Sequence, residues 1–404
     1  MPPYLQLGSI PPKRHTRHGV TPGYRNEGLY YEEVISTQGF NRAYSIAYHL
    51  RPPTRVKHVE PAVGIIVEAA PQEALRHHHL KTRSIPVAGD PITGRVPMFT
   101  NSDVTIWRCR PDAVQAELYR NATADEIIFV HKGHGHVSTH FGRLDFKPYD
   151  YIVIPRCSTY RIDFDGHPHS VSERGPGGEV SSQPDLLVIE STGNLGFPER
   201  YLNRDGQFRL GAPFCERDLH GPAELVTVDR AEETTVVIKD GSRQTRYTLA
   251  HHPFDVVGWD GMVYPFTFNA DDFEPITGTI HQPPPIHQTF ESHGGFVVCT
   301  FAPRLLDTHP DAVKIPYAHS NVESDEVLYY VRGKFGSRRG VEESSFTLHP
   351  HGIPHGPHPG TIAASWEMTR TDELAVMVDT FRPLHLTKQA LAFDDASYPL
   401  SWMD

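Results

Sequence analysis

The chain writes one pattern twice, and that repeat limits the folds open to it more than any other feature. Residues 119–133 read YRNATADEIIFVHKG and residues 319–333 read HSNVESDEVLYYVRG. In both, Glu falls five residues after Asn and Gly falls seven residues after Glu. Further on, a Pro is followed five positions later by a ring-bearing residue, Tyr160 after Pro155 and His355 after Pro350. The frame is shared, whereas the chemistry is not. Tyr119, Glu126 and Tyr160 stand where the second copy has His319, Glu326 and His355. Two imidazoles and a carboxylate can hold a metal; the first copy has lost two of those ligands. Such a trio occupies one side of an ion and leaves the other side open, the arrangement of Fe(II) enzymes that activate O₂. The second copy is therefore the candidate active site, and the first is expected to be silent.

Composition narrows the partners. Lys and Arg total 38 against 49 Asp and Glu, a net charge of -11. That balance offers no electrostatic footprint for nucleic acid or an anionic membrane. No run approaches the ~18 apolar residues of a membrane span. The start, MPPYLQLGSIPPKRH, lacks the apolar core of a signal peptide, so a cytoplasmic protein is expected. Cys109, Cys157, Cys215 and Cys299 lie far apart without a CxxC pair, as reduced thiols do.

Segments such as EIIFVHKG, DYIVIPR, TTVVIKD, GGFVVCTF, EVLYYVRG and ELAVMVDTF are short, rich in β-branched and aromatic residues, and bounded by Gly, Pro or Asp. Three stretches read as short helices: PQEALRHHHLK, the start of RPDAVQAELYRN, and LTKQALAFDD. The expectation is an all-β chain of sandwiches or small barrels. A stiff crossing at Pro283, Pro284 and Pro285 suggests two halves, with residues 1–250 carrying the silent repeat at about 100–170 and residues 251–404 the catalytic one. The remaining N-terminal segments are expected to form added β layers.

Glu326 to Gly333 followed by Pro350, Gly352 and His355 resembles the cupin pattern, E-x6-G then P-x-G-x-x-H. The strings FDVVGWDGMVYPFTFN, IPYAHSN with DEVLYYVRG, and LHPHGIPHGPHPG resemble the homogentisate 1,2-dioxygenase family over most of residues 240–404, and the N-terminal half is similar to its shorter bacterial members. The resemblance implies a bicupin of two β-barrel or jelly-roll repeats. It also implies an Fe(2+) enzyme that converts homogentisate and O₂ to 4-maleylacetoacetate in tyrosine and phenylalanine catabolism, and a homo-oligomer, trimer or dimer of trimers. Its iron ligands would be His319, Glu326 and His355; His281 would be the base, with His349 a second active-site histidine. Tyr317, Phe335, Arg338 and His355 would border the substrate.

The chain departs from the family at Ser320, Phe335 and Arg338, near the substrate's ring and carboxylate, which leaves gentisate or another substituted hydroquinone as an alternative substrate. From another class, the alternative is a non-catalytic or isomerase-type metal-binding cupin; Asn321, standing where such isomerases carry an extra His, argues against the latter. The run His77, His78, His79 reads as a surface or interface feature, because three consecutive side chains cannot face one ion. His351 and His358 flank His355 and read as solvated loop residues, with a place at the pocket mouth as the alternative.

Overall fold

The computed structural model describes residues 2–16, 29–71, 74–166, 183–335 and 340–403. The fold is all-β, and the one α-helix among the described residues is the single turn Thr361–Ala364. No helix among them is long and apolar enough to cross a membrane. The three segments expected to be helical are not. The first supplies the strand His78–Leu80, the second runs irregularly into the strand Leu118–Asn121, and the third keeps only the 3-10 turn Ala390–Phe393. Long-range pairing overrode local propensity: His78–Leu80 completes the edge of a sheet by pairing with Phe346–His349, Leu80 opposite Phe346.

The two copies of the repeat form the same three-strand unit. Asp125–Lys132 lies between Asp185–Ser191 and Asp150–Ile154, with Glu126 opposite Glu190 and Ile154. Asp325–Arg332 lies between Leu374–Thr380 and Phe346–His349, with Glu326 opposite Asp379 and His349. The letters held in common are those that build this frame. Asp125 accepts the backbone N–H groups of Arg156 and Leu195, both at 2.9 Å. Asp325 accepts those of His351 and Leu384 at 2.7 and 2.6 Å. The Asn121 carbonyl takes the Cys157 N–H at 2.8 Å and the Asn321 carbonyl takes that of Gly352 at 2.7 Å. The repeated Gly ends each strand with φ of 109° at Gly133 and 92° at Gly333. A Cβ at Gly333 would stand 2.4 Å from the Asp372 carbonyl oxygen, so no other residue fits.

Both faces of these strands are buried, which explains their near-continuous apolar runs. Alternation sends Ile128 and Val130 into the first barrel with Tyr119, Tyr160 and Val188. It sends Ile127 and Phe129 into a core shared with Val327, Tyr329 and Val331 of the second. The halves also exchange strands. His385–Leu386 pairs with Arg95–Thr100, while Phe266–Asn269 pairs with Asp150–Ile154 and Val256–Gly261 with Tyr44–His49.

Beside the first barrel, His49 is buried between two acids. Its Nδ1 lies 2.7 Å from Asp255 and its Nε2 lies 3.0 Å from Glu33. Burial alone would lower the His49 pKa, but hydrogen bonds to Asp255 and Glu33 outweigh it and raise the value to about 9. Burial would likewise raise Glu33, yet His49, with His140 and Arg120 nearby, holds it at about 2. A raised imidazole stabilises the fold fully below its unfolded value of ~6.5 and loses that contribution as pH rises through 9. A lowered carboxylate contributes fully above ~4.5 and loses it as pH falls through 2. Thermal stability is thus expected to decline from pH 6.5 to 9 in part through this cluster, and His49→Gln should flatten that decline. An unchanged slope in melting curves of the variant would contradict the assignment.

Candidate metal centre

His319 and His355 are brought together by the backbone. Each donates its N–H to the other's carbonyl, at 2.7 and 2.8 Å, as an isolated antiparallel bridge. Their rings lie 4.2 Å apart. Glu326 enters from the neighbouring strand with Oε2 3.7 Å from both Nε2 atoms. Ligand atoms of the three lie within 4.8 Å of one another, the one such set among the described residues. His355 donates Nδ1–H to the Ile353 carbonyl at 3.2 Å, which turns its Nε2 lone pair inward. That Nε2 is buried and has no hydrogen-bond partner. His349 lies directly behind Glu326: Nδ1 meets Oε1 at 2.7 Å, and Nε2 meets the Tyr398 hydroxyl at 3.2 Å.

Charge makes the case for a cation. Burial would raise the Glu326 pKa, but the imidazoles around it, His349 by a hydrogen bond and His319 and His355 by proximity, hold it well below the usual carboxylate range. Opposite it, burial and the charge of Glu326 push the Asp379 pKa well above that range. Among the described residues no Lys or Arg pairs with Glu326; every partner is an imidazole. A buried anion without a counter-charge is costly, and an orphaned imidazole nitrogen beside it completes a donor set suited to a divalent first-row ion.

The first barrel meets the same demand differently. The Arg95 guanidinium lies 2.5 Å from Glu126 and 3.4 Å from Glu190, and it donates to the Tyr160 hydroxyl at 3.0 Å. Tyr160 in turn donates to Glu126 at 2.6 Å. Lys239 holds Glu190 at 2.5 Å. A tethered cation thus sits among the residues that correspond to the candidate metal ligands of the other copy.

A cavity of about 170 Å³ adjoins Glu326 and His319, and His281, Tyr317, Phe335 and Arg304 also line it. A void of about 150 Å³ accommodates a benzene ring. His281 Nε2 accepts from the Tyr317 hydroxyl at 3.1 Å, and Tyr317 stands edge-on to His319. Burial lowers the His281 pKa against the pull of Asp307, so its ring is neutral at pH 7. Phe335 packs edge-on against Tyr330 at 4.6 Å. Arg338 lies outside the described residues, and Ser320 is exposed.

Several residues were not anticipated from sequence. His77 and His79 are buried in the second barrel's sheet edge rather than on a surface helix, and His77 lies edge-on to His349 and His355 at 5.5 and 6.1 Å. His358 stacks on Trp402 at 4.3 Å, and His351 is held by Asp325, so neither lines the cavity. Asp379 carried no motif; its signal was its place opposite Glu326, visible only once the strands are paired.

No protein-family model matches the chain. A Saccharolobus solfataricus protein named "Putative dioxygenase SSO1533" is 38% identical over 403 residues, covering 99% of this chain and 98% of that protein. Homogentisate 1,2-dioxygenase of Bradyrhizobium diazoefficiens is 25% identical over 412 residues, 95% of this chain and 86% of that enzyme. Among solved structures, a cupin 2 conserved barrel domain protein from Leptotrichia buccalis aligns over 80% of this chain and 100% of its own with a TM-score of 0.31 and 10% identity.

Proposed function

The chain belongs to the dioxygenase family of the Saccharolobus solfataricus protein, and on that premise we propose that it is an Fe(II)-dependent dioxygenase that opens the ring of homogentisate. One observation carries the metal assignment: the inward, unpartnered Nε2 of His355 beside an ionised Glu326 that meets only imidazoles. His319, Glu326 and His355 would hold a ferrous ion, which would supply the electron chemistry that joins substrate and O₂.

The protein's own groups do the rest. His281, neutral and within reach of the Tyr317 hydroxyl, takes the proton of the substrate hydroxyl at Nε2. Both ring nitrogens of His349 are engaged, by Glu326 and Tyr398, so His349 positions the carboxylate and is not the base. Phe301, Leu328 and Met377 give the cavity an apolar wall against the ring.

The test is O₂ consumption by anaerobically Fe(II)-loaded protein, with homogentisate and gentisate supplied separately and ring-opened product followed by absorbance. Uptake with homogentisate at one O₂ per substrate is expected. His281→Gln should retain iron and turn over more slowly by about 10²-fold or more. Silence with both compounds would sink ring cleavage, and normal turnover in the variant would remove His281 from the mechanism.

A further inference from the structure

The cavity holds one cation that the chemistry above does not use. Arg304 lines it together with His281, Tyr317, His319 and Glu326. Its side chain is only 17% exposed, and Nη1 is buried with no hydrogen-bond partner. The nearest carboxylate, Glu373 Oε1, stands 3.7 Å away, too far for a hydrogen bond. The Phe301 ring lies 5.9 Å from the guanidinium carbon, a contact that offsets little of the cost of burying a charge. Burial accordingly lowers the Arg304 pKa even with Glu373 and Asp307 nearby. The cavity's other cations are placed differently. Lys314 gives its Nζ to the Asp307 carbonyl, and Lys334 is exposed.

We infer that Arg304 is a specificity-determining residue that holds the carboxylate of an aromatic-acid substrate through the unfilled guanidinium edge, with the ring against Phe301, Leu328 and Met377. Two parallel N–H donors suit a carboxylate and discriminate against neutral substituents. The inference rests on the dioxygenase reading of this cavity and narrows its substrates to hydroquinones with an acidic side chain. Glu373, lining the same cavity, competes for the guanidinium and excludes substrates without a carboxylate to offer.

The experiment compares 2,5-dihydroxyphenylacetate with its methyl ester, by anaerobic calorimetry on the purified full chain and by O₂ uptake after iron loading. The unmodified protein should bind the acid tighter than the ester by about 10- to 100-fold, the range of a charge-assisted hydrogen bond. Arg304→Met should erase that preference while leaving the ester's Kd within about twofold, and Glu373→Gln should tighten the acid further. Arg304→Lys should keep part of the preference, which guards against a variant that fails to fold. Retained preference for the acid in Arg304→Met, or equal loss of both ligands in every variant, would overturn the assignment. Arg304-dependent binding of the acid without O₂ uptake would support the anion site and sink the dioxygenase reading alone.

Discussion

Replacing His355 by alanine is expected to strip the protein of bound metal while leaving it folded. The imidazole is 2% exposed, its Nδ1 is held by Ile353, and its Nε2 points at Glu326 with nothing else to bind. Changing a group that merely supports a metal ligand costs 10- to 100-fold in affinity, so removing a ligand should exceed ~100-fold. Iron content after purification should fall from one per chain to a small fraction, and O₂ uptake should disappear with it. The fold should survive, because His355 meets His319 through backbone atoms that the substitution keeps. Melting curves and metal analysis of the same preparation separate the two effects. A variant that keeps iron at full stoichiometry would remove His355 from the ligand set.

How far the sequence reached can be followed residue by residue. The repeated Asn, Asp and Gly proved to be scaffold: they receive or terminate backbone in the same way in both copies. Their regular spacing was legible because local frame geometry imposes it. Two positions that differ between the copies, Tyr119 against His319 and Tyr160 against His355, together with the shared Glu made the candidate trio readable. What escaped notice arrives from far along the chain. His77 reaches His355 only because His78–Leu80 pairs with Phe346–His349. Asp379 has its pKa raised by burial and by a cross-strand neighbour more than fifty residues away. The helical reading of residues 71–81 failed for the same reason, since a strand edge in need of a partner outweighs a weak local preference. Arg304 carried no motif; only the cavity gives it meaning.

Arg95 is the other long-range residue, and its removal is expected to cause the largest loss of stability. The guanidinium is buried and donates to the Pro91 carbonyl, Glu126 and Tyr160. Arg95→Met would leave Glu126 ionised in a dry interior, and breaking one side of a buried pair costs about 3–5 kcal/mol. For a chain of this size that corresponds to a drop in Tm of roughly 4–6 °C. The sign of the pH dependence discriminates this from simple loss of packing. In the native protein burial would raise Glu126, but Arg95 and Tyr160 hold it below its usual value, so its contribution is present above ~4.5 and lost as pH falls. Without Arg95, burial prevails and the Glu126 pKa rises. The cost is then full above that raised value and fades on acidification. The Tm gap between variant and native protein should therefore be wider at pH 7.5 than at pH 5. Adding Glu126→Gln to Arg95→Met should recover most of the loss, since both members of the pair are then neutral. Iron content should remain at one per chain throughout, because the ligands belong to the other copy. A gap that does not change with pH would mean that Arg95 acts by filling space and not by supplying a positive charge to Glu126.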